Sequence, residues 1–319
     1  MARRLSRKLP GRAEVAGSSK QFGIVQFFER FPNEESCLQH IFDVKFGTHS
    51  PCPGCGKLGH WSRIKGTKKW RHACGKHISP LKGTVMYRSN LSLMAWFYAF
   101  FLFSNASIGM RSGFIRRQLG IGHNSAYRLC RMIRVHMAAM ARPDKLGGEG
   151  KIVHIDEVHL RYIINAAGEP NDAVIVFGLA SEGQVLSGIV SDRTSGTLIP
   201  QIVARVIPGS KVVTDMLSGY RKLGQYGFDH VQINHSVAFH DFKGHSTNDI
   251  EAYWSTVRRM LRSARQVSRS HMWTFLAEIE FKYNRRHYKE TIFEELISNF
   301  PNYDLEASRS LESQFDWSI

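Results

Sequence analysis

Two short runs rich in β-branched residues, KIVHI before Asp156 and KVVT before Asp215, each stop at an aspartate and pass into polar or turn-forming residues. Runs of this kind make buried strands, so both acids are expected at strand exits. Side chains alternate along a strand, so the neighbouring Asp156 and Glu157 face opposite ways and only one can join a shared cluster. A third acid comes from a helix. In GHSTNDIEAYWSTVRRMLR (244–262), Asn248, Glu251, Trp254, Ser255 and Arg258 recur at steps of three, four and seven, which brings them along one side. Ser246 and Thr247 can cap free backbone N–H groups, and Asp249 and Glu251 fall in the first turn, where the helix dipole favours negative charge. A solvated amphipathic helix with one ion pair would account for this pattern as well. The two strand acids tip the reading, because three converging carboxylates repel one another unless a divalent cation holds them.

Composition sets the outer bounds. At 319 residues with 43% hydrophobic content, the chain can bury a sizeable core and is expected to form two or three domains. A net charge of +16 and a pI near 9.8 call for a polyanionic partner, and charge spread over the whole chain favours nucleic acid. A membrane span needs about 20 apolar residues, and the longest run, LSLMAWFYAFFLF (91–103), falls short. Its Leu93, Trp96, Phe97, Phe100 and Phe101 follow helical spacing, the pattern of a buried core helix. Residues 1–24 read as a basic flexible arm, able to neutralise phosphates or to act as a solubilising tail. The arm lacks the apolar segment of a signal peptide. With five cysteines and no even disulfide framework, a reducing cytoplasm is the expected compartment.

Three of the five cysteines, with histidines beside them, fall in a loop-rich stretch and suggest a metal. CPGC (52–55) is followed by 18 residues and CGKH (74–77), a spacing of thiolates and imidazole that suits structural zinc. Cys37 and Cys130 fall on expected helices and read as core. From Gly109, FIRRQLGIGHNSAYRLCRMIRVHM predicts a helix ending near Leu119, a turn at Gly120 to Gly122, and a second helix with Asn124 as N-cap. Ala126, Leu129, Cys130, Ile133 and Met137 give that helix an apolar face. Asn124, Ser125, Tyr127, Arg128 and Arg131 form the opposite face, which suits a recognition helix in a major groove. ARPDKLGGEGK (141–151) marks a boundary. Beyond it, strands are expected at 152–160, 173–180, 184–191, 211–214 and 230–234, with helices at 194–206, 218–225 and 271–286. That order predicts a mixed sheet flanked by helices, an α/β or α+β arrangement. The tail to Ile319 carries no clear signal.

The order Asp156, Asp215, Glu251, with 35 residues between the last two, resembles the DDE-class transposases and integrases. IDE (155–157), TD with Tyr220 five residues after Asp215, NHS (234–236), NDIEAYWS (248–255), Arg258 and FKYNRR (281–286) are similar to one bacterial insertion-sequence branch, the ISXO-like transposases. The resemblance covers roughly residues 25 to 290. It implies a multidomain chain: a zinc-ribbon region (25–88), a helix-turn-helix region (89–142), a linker (143–151), a ribonuclease H-like catalytic domain (152–290) and a tail (291–319). It implies Asp156, Asp215 and Glu251 as holders of two Mg²⁺ ions, or Mn²⁺, with Asn248 as the alternative third ligand and Arg258 and His245 in support. His245 lies one position further from Glu251 than the family's histidine. The family's second zinc knuckle would begin at Arg71, which cannot ligate. Either His72 or His77 must then join Cys52, Cys55 and Cys74, or the cysteines merely pack. The expected partner is double-stranded DNA, element ends and target, bound by a homo-oligomer in the bacterial cytoplasm at the nucleoid. Two other classes fit the residues less well: a domesticated DNA-binding regulator, and a ribonuclease H-like nuclease that cuts without joining.

Overall fold

The computed structural model describes residues 22–47, 50–107, 109–161, 163–164, 173–233, 248–264 and 267–318. Helices α1 (Ile24–Arg30) and α2 (Glu34–Phe46) lead into a three-stranded antiparallel ribbon of β1 (Trp61–Arg63), β2 (Trp70–His72) and β3 (His77–Ile78). Asn33 caps α2, its Oδ1 accepting from Ser36 N at 2.9 Å. Trp70 of the ribbon stacks on Phe42 of α2, ring centroids 4.4 Å apart, which ties a segment with little apolar content to the main core.

Helix α3 (Leu93–Asn105) is the expected core helix, with Leu93, Trp96, Phe97, Phe100 and Phe101 all buried. Helices α4 (Ser112–Leu119) and α5 (His123–Ala138) form the expected pair. Gly120 ends α4 in the left-handed region at φ 62°, a conformation that costs a side-chain-bearing residue energy. The N-cap of α5 is Gly122, and it makes no side-chain cap. Asn124 therefore lies inside the first turn and is not the cap its side chain suggested, because Gly122 already supplies the extended backbone from which the helix starts.

The sheet is built from β5 (Ile152–Leu160), β7 (Val174–Ser181), β8 (Gln184–Val190), β10 (Lys211–Thr214) and β11 (Asp229–Gln232), with short strands β4 (Leu146–Gly147), β6 (Ile163–Ile164), β9 (Val206–Ile207) and β12 (Val267–Ser268) outside it. Its spatial order is β11-β10-β5-β7-β8. Strands β5, β7 and β8 form an antiparallel meander, and β10 and β11 run parallel to β5. Period-two alternation feeds two cores. Val158, Leu160, Val174 and Val176 face the core shared with α7 (Asn248–Ala264) and α8 (Met272–Tyr283). Val153, Ile155, Phe177 and Leu179 face α6 (Ser195–Arg205) and Tyr220. The segment expected as a short helix at 218–225 is two 3₁₀ turns, Ser218–Tyr220 and Leu223–Tyr226.

Charged residues hold α5 and the chain after it against α8. Arg134 Nε donates to Glu278 at 2.8 Å, Lys282 reaches the same carboxylate at 2.7 Å, and Arg142 meets Glu280 at 2.9 Å. Burial would raise Glu278, but Lys282 and Arg134 hold it down to about 2. The end of the chain is folded too. Helices α9 (Ile292–Ser298) and α10 (Leu305–Ser313) lead to Phe315 and Trp317, both buried. Trp317 lies against Gly188 of β8, where an added Cβ would come within 2.3 Å of the indole. No described helix is long and apolar enough to cross a membrane.

Candidate active site and metal centre

Asp156 is the fifth of nine residues in β5, mid-strand and not at the exit expected for it, because β5 stays paired with β7 through Leu160. It lies on the face that packs against α7, and Glu157 turns to the α6 face. Trp254 of α7 is buried and its Nε1 donates to Asp156 Oδ2 at 3.0 Å. The indole fits because Gly178, the β7 partner of Asp156, has no side chain. A Cβ there would meet Trp254 at 2.6 Å and Ile250 at 3.1 Å. Glu251 is exposed on α7, one turn before Trp254, so the contact that seats the indole on Asp156 also sets the position of Glu251.

Asp215 follows β10 directly. The parallel register pairs Val213 with His154, and continuing it brings Asp215 alongside Asp156. Asp215 Oδ1 accepts from Leu217 N at 2.9 Å, bending the chain into the turn that carries Tyr220. The Tyr220 hydroxyl donates to Glu157 Oε2 at 2.5 Å, and Arg193 stands 3.5 Å from Glu157 Oε1. The loop bearing Asp215 is thereby tied back to β5. Burial, aided by the charges of Glu157 and Asp215, pushes the Asp156 carboxyl up to about 7, although N–H groups of Glu157 and Trp254 oppose the shift. Burial and the Asp215 charge also raise Glu157, with Tyr220 and Arg193 opposing. Sequence reasoning set Glu157 aside as facing away. Its side chain does face away, yet it feels Asp215 and anchors Tyr220, and the Tyr220 spacing was the one signal that could have shown this.

The remaining expected residues fall in several places. Arg258 is exposed on α7, two turns after Glu251. Asn248 begins α7, while His245 and the stretch 234–236 lie outside the described residues, as does the Asn248 side chain. On α5, Asn124, Ser125, Tyr127 and Arg128 are exposed and Arg131 is half-buried. Tyr127 meets His271 edge to face, centroids 6.1 Å apart.

Among the described residues, one group of histidine, cysteine or acidic side chains lies close enough to hold a metal: Cys52, Cys55, His72 and Cys74, with ligand atoms within 4.8 Å of one another. The carboxylates of Asp156, Asp215 and Glu251 do not gather so tightly. In the ribbon, Cys52 Sγ lies 3.8 Å from Cys74 Sγ, and His72 Nδ1 lies 3.6 Å from Cys55 Sγ and 3.1 Å from Cys74 Sγ. A Zn–S bond of about 2.3 Å implies about 3.8 Å between sulfurs of a tetrahedron, so spacing and donor set both suit zinc. The histidine is His72 and not His77. Trp70 and His72 point inward from β2, whereas His77 pairs with Arg71 on the exposed side of the ribbon.

Residues 145–284, which include all three candidate acids, match the family model of the ISXO2-like transposase domain. An uncharacterized transposase-like protein of Haemophilus influenzae is 31% identical over 109 residues, which is 34% of this chain and 88% of that protein. A match to the domain containing both strand acids and α7, together with a relative covered over most of its length, shows that the chain belongs to the ISXO2-like transposase family.

Proposed function

We propose that the chain is an insertion-sequence transposase that binds the ends of its element and cuts and joins DNA by metal-dependent phosphoryl transfer. The observation that carries this reading is the placement of Asp215, at the exit of β10, alongside Asp156, midway along the parallel strand β5, with Trp254 fastening the Glu251 helix to Asp156. Numbered along the chain, the sheet runs 3-2-1-4-5, with the first three strands antiparallel and the last two parallel to the first. That order supports a ribonuclease H-like catalytic domain.

The donor set is carboxylate oxygen throughout, which suits Mg²⁺ or Mn²⁺. Burial and neighbouring negative charge disfavour ionised Asp156, a balance that a cation reverses. Asp156, Asp215 and Glu251 would hold two such ions, with Asn248 as the alternative third ligand. Bound there, the ions supply an activated water or 3′-hydroxyl and stabilise the leaving oxygen. The protein's own groups position the DNA: Arg258 grips a phosphate beside the reacting bond, and Asn124, Ser125, Tyr127, Arg128 and Arg131 meet base edges or phosphates from α5. Cys52, Cys55, His72 and Cys74 hold a structural zinc. Two copies or more assemble on the element ends at the nucleoid.

Labelled element ends, Mg²⁺ and a target plasmid test the reading. Joined products are expected, and they should vanish in Asp156→Ala, Asp215→Ala and Glu251→Ala while end binding persists. Full joining by Glu251→Ala with loss in Asn248→Ala would move the third ligand to Asn248. Cleavage without joining would make the chain a nuclease, and binding alone a regulator.

A further inference from the structure

A cleft of about 690 Å³ opens between α3, α7, α8 and the start of α9, away from the ribbon and from the α5 face. Four cations line it, Arg259, Lys282, Arg286 and Lys289, against one carboxylate, Glu290. Lys282 is engaged by Glu278 at 2.7 Å. Arg286 donates to the carbonyls of Gly183 and Tyr283 and lies 4.0 Å over the Tyr283 ring, contacts that orient its charge without neutralising it. Arg259 and Lys289 are exposed and have no ion pair among the described residues. Half-buried Phe22 adds an aromatic wall, backed by the buried Phe293 ring with centroids 5.1 Å apart. Phe22 also follows the segment 1–21, which carries six basic residues and one acidic residue. That composition and the charge of the cleft both favour a polyanionic ligand.

We propose that this cleft binds a short single-stranded DNA segment, phosphates on Arg259 and Lys289 and a base against the aromatic wall; the proposal rests on the transposase reading. The volume is that of a small-molecule site, enough for on the order of two nucleotides and far too small for a duplex. Cations beside aromatic rings are the combination by which proteins hold unpaired strands without reading sequence. Location agrees with this. Arg259 lies eight residues after Glu251, roughly 80° around α7 at 3.6 residues per turn, so the cleft adjoins the stripe bearing Glu251 and Arg258. Strand cutting there would free an unpaired end within reach of the cleft.

The test uses the full chain, a fluorescent oligothymidine of four to six nucleotides, and duplex DNA of unrelated sequence. Arg259→Ala with Lys289→Ala should weaken oligothymidine binding at least fivefold. It should also flatten the salt dependence by about 1.4 in the log–log slope, at about 0.7 per phosphate contact, and leave duplex affinity within twofold. Glu290→Gln should tighten oligothymidine binding. Both sites are exposed, and an unchanged melting temperature confirms that the variants fold. Equal loss on single-stranded and duplex DNA, or no loss on either, overturns the proposal. So does competition by inorganic phosphate as effective as by the oligonucleotide, which would mark a simple anion site. An oligonucleotide effect of the expected size in a chain that joins no DNA ends would sink the transposase reading and leave the cleft standing. Normal joining with no oligonucleotide effect would do the reverse.

Discussion

Trp254 Nε1 donates to Asp156 Oδ2 at 3.0 Å across 98 residues of sequence, so a helix and a strand that share no local signal are locked together at the candidate catalytic acid. The bond is directional and partly buried, and it fixes which turn of α7 lies over β5. Trp254→Phe keeps an aromatic ring but removes the N–H together with part of the indole's bulk. Losing one partner of such a bond costs about 1–3 kcal/mol, visible as a lower urea midpoint. Joining should fall at least tenfold while end binding is unchanged; wild-type joining by this variant would show that the bond serves stability alone.

Gly178 is the second half of the same contact. In Gly178→Ala the new methyl group would overlap the indole at 2.6 Å, and such overpacking costs about 1–3 kcal/mol. The effect should be non-additive with Trp254→Leu, because both changes act on one space. A double-mutant cycle by chemical denaturation measures this, and strict additivity would place the strain elsewhere.

The ribbon prediction separates two histidines. Wild-type protein should hold about one zinc per chain. His72→Ala and Cys74→Ser should lose it and lower the melting temperature, whereas His77→Ala should keep it. Metal analysis by mass spectrometry decides the matter, and zinc loss in His77→Ala would reverse the assignment.

His136 sets an acid limit. Its ring is buried, Nε2 lies 2.8 Å from the Leu296 carbonyl, and burial lowers its pKa from 6.5 to about 4. Between those values the unfolded chain takes up a proton that the folded chain refuses, so stability falls as pH drops from about 6.5 towards 4. The slope from this group is at most about 1.4 kcal/mol per pH unit. His136→Gln removes this contribution, so its stability should be lower at pH 7 yet change less between pH 6.5 and 4. His40, which burial also lowers, supplies part of the remaining slope. Parallel pH profiles of the urea midpoint for the two proteins would refute the assignment.

What the sequence determined by itself is the local structure and the family motifs that ride on it. Strands at 152–160 and 211–214 match β5 and β10 residue for residue, and α3, α4, α5 and α8 lie where periodicity and glycine punctuation place them. These features depend on neighbours in the chain, so they can be read from it. Only the tertiary structure decided which side chains meet. His72 completes the ribbon because strand alternation turns it inward with Trp70, and the β2–β3 register turns His77 out with Arg71. Glu278 and Glu280 look like solvated charges on α8 until Arg134 and Arg142, from 144 and 138 residues earlier, close on them. The tail from 291 carries no pattern of its own, yet Trp317 fills the space over Gly188. Glu157 is tied to Asp215 through a turn that spacing hinted at but only packing could close. In each case the deciding partner is remote in sequence, and such contacts are fixed by sheet register and the shared core.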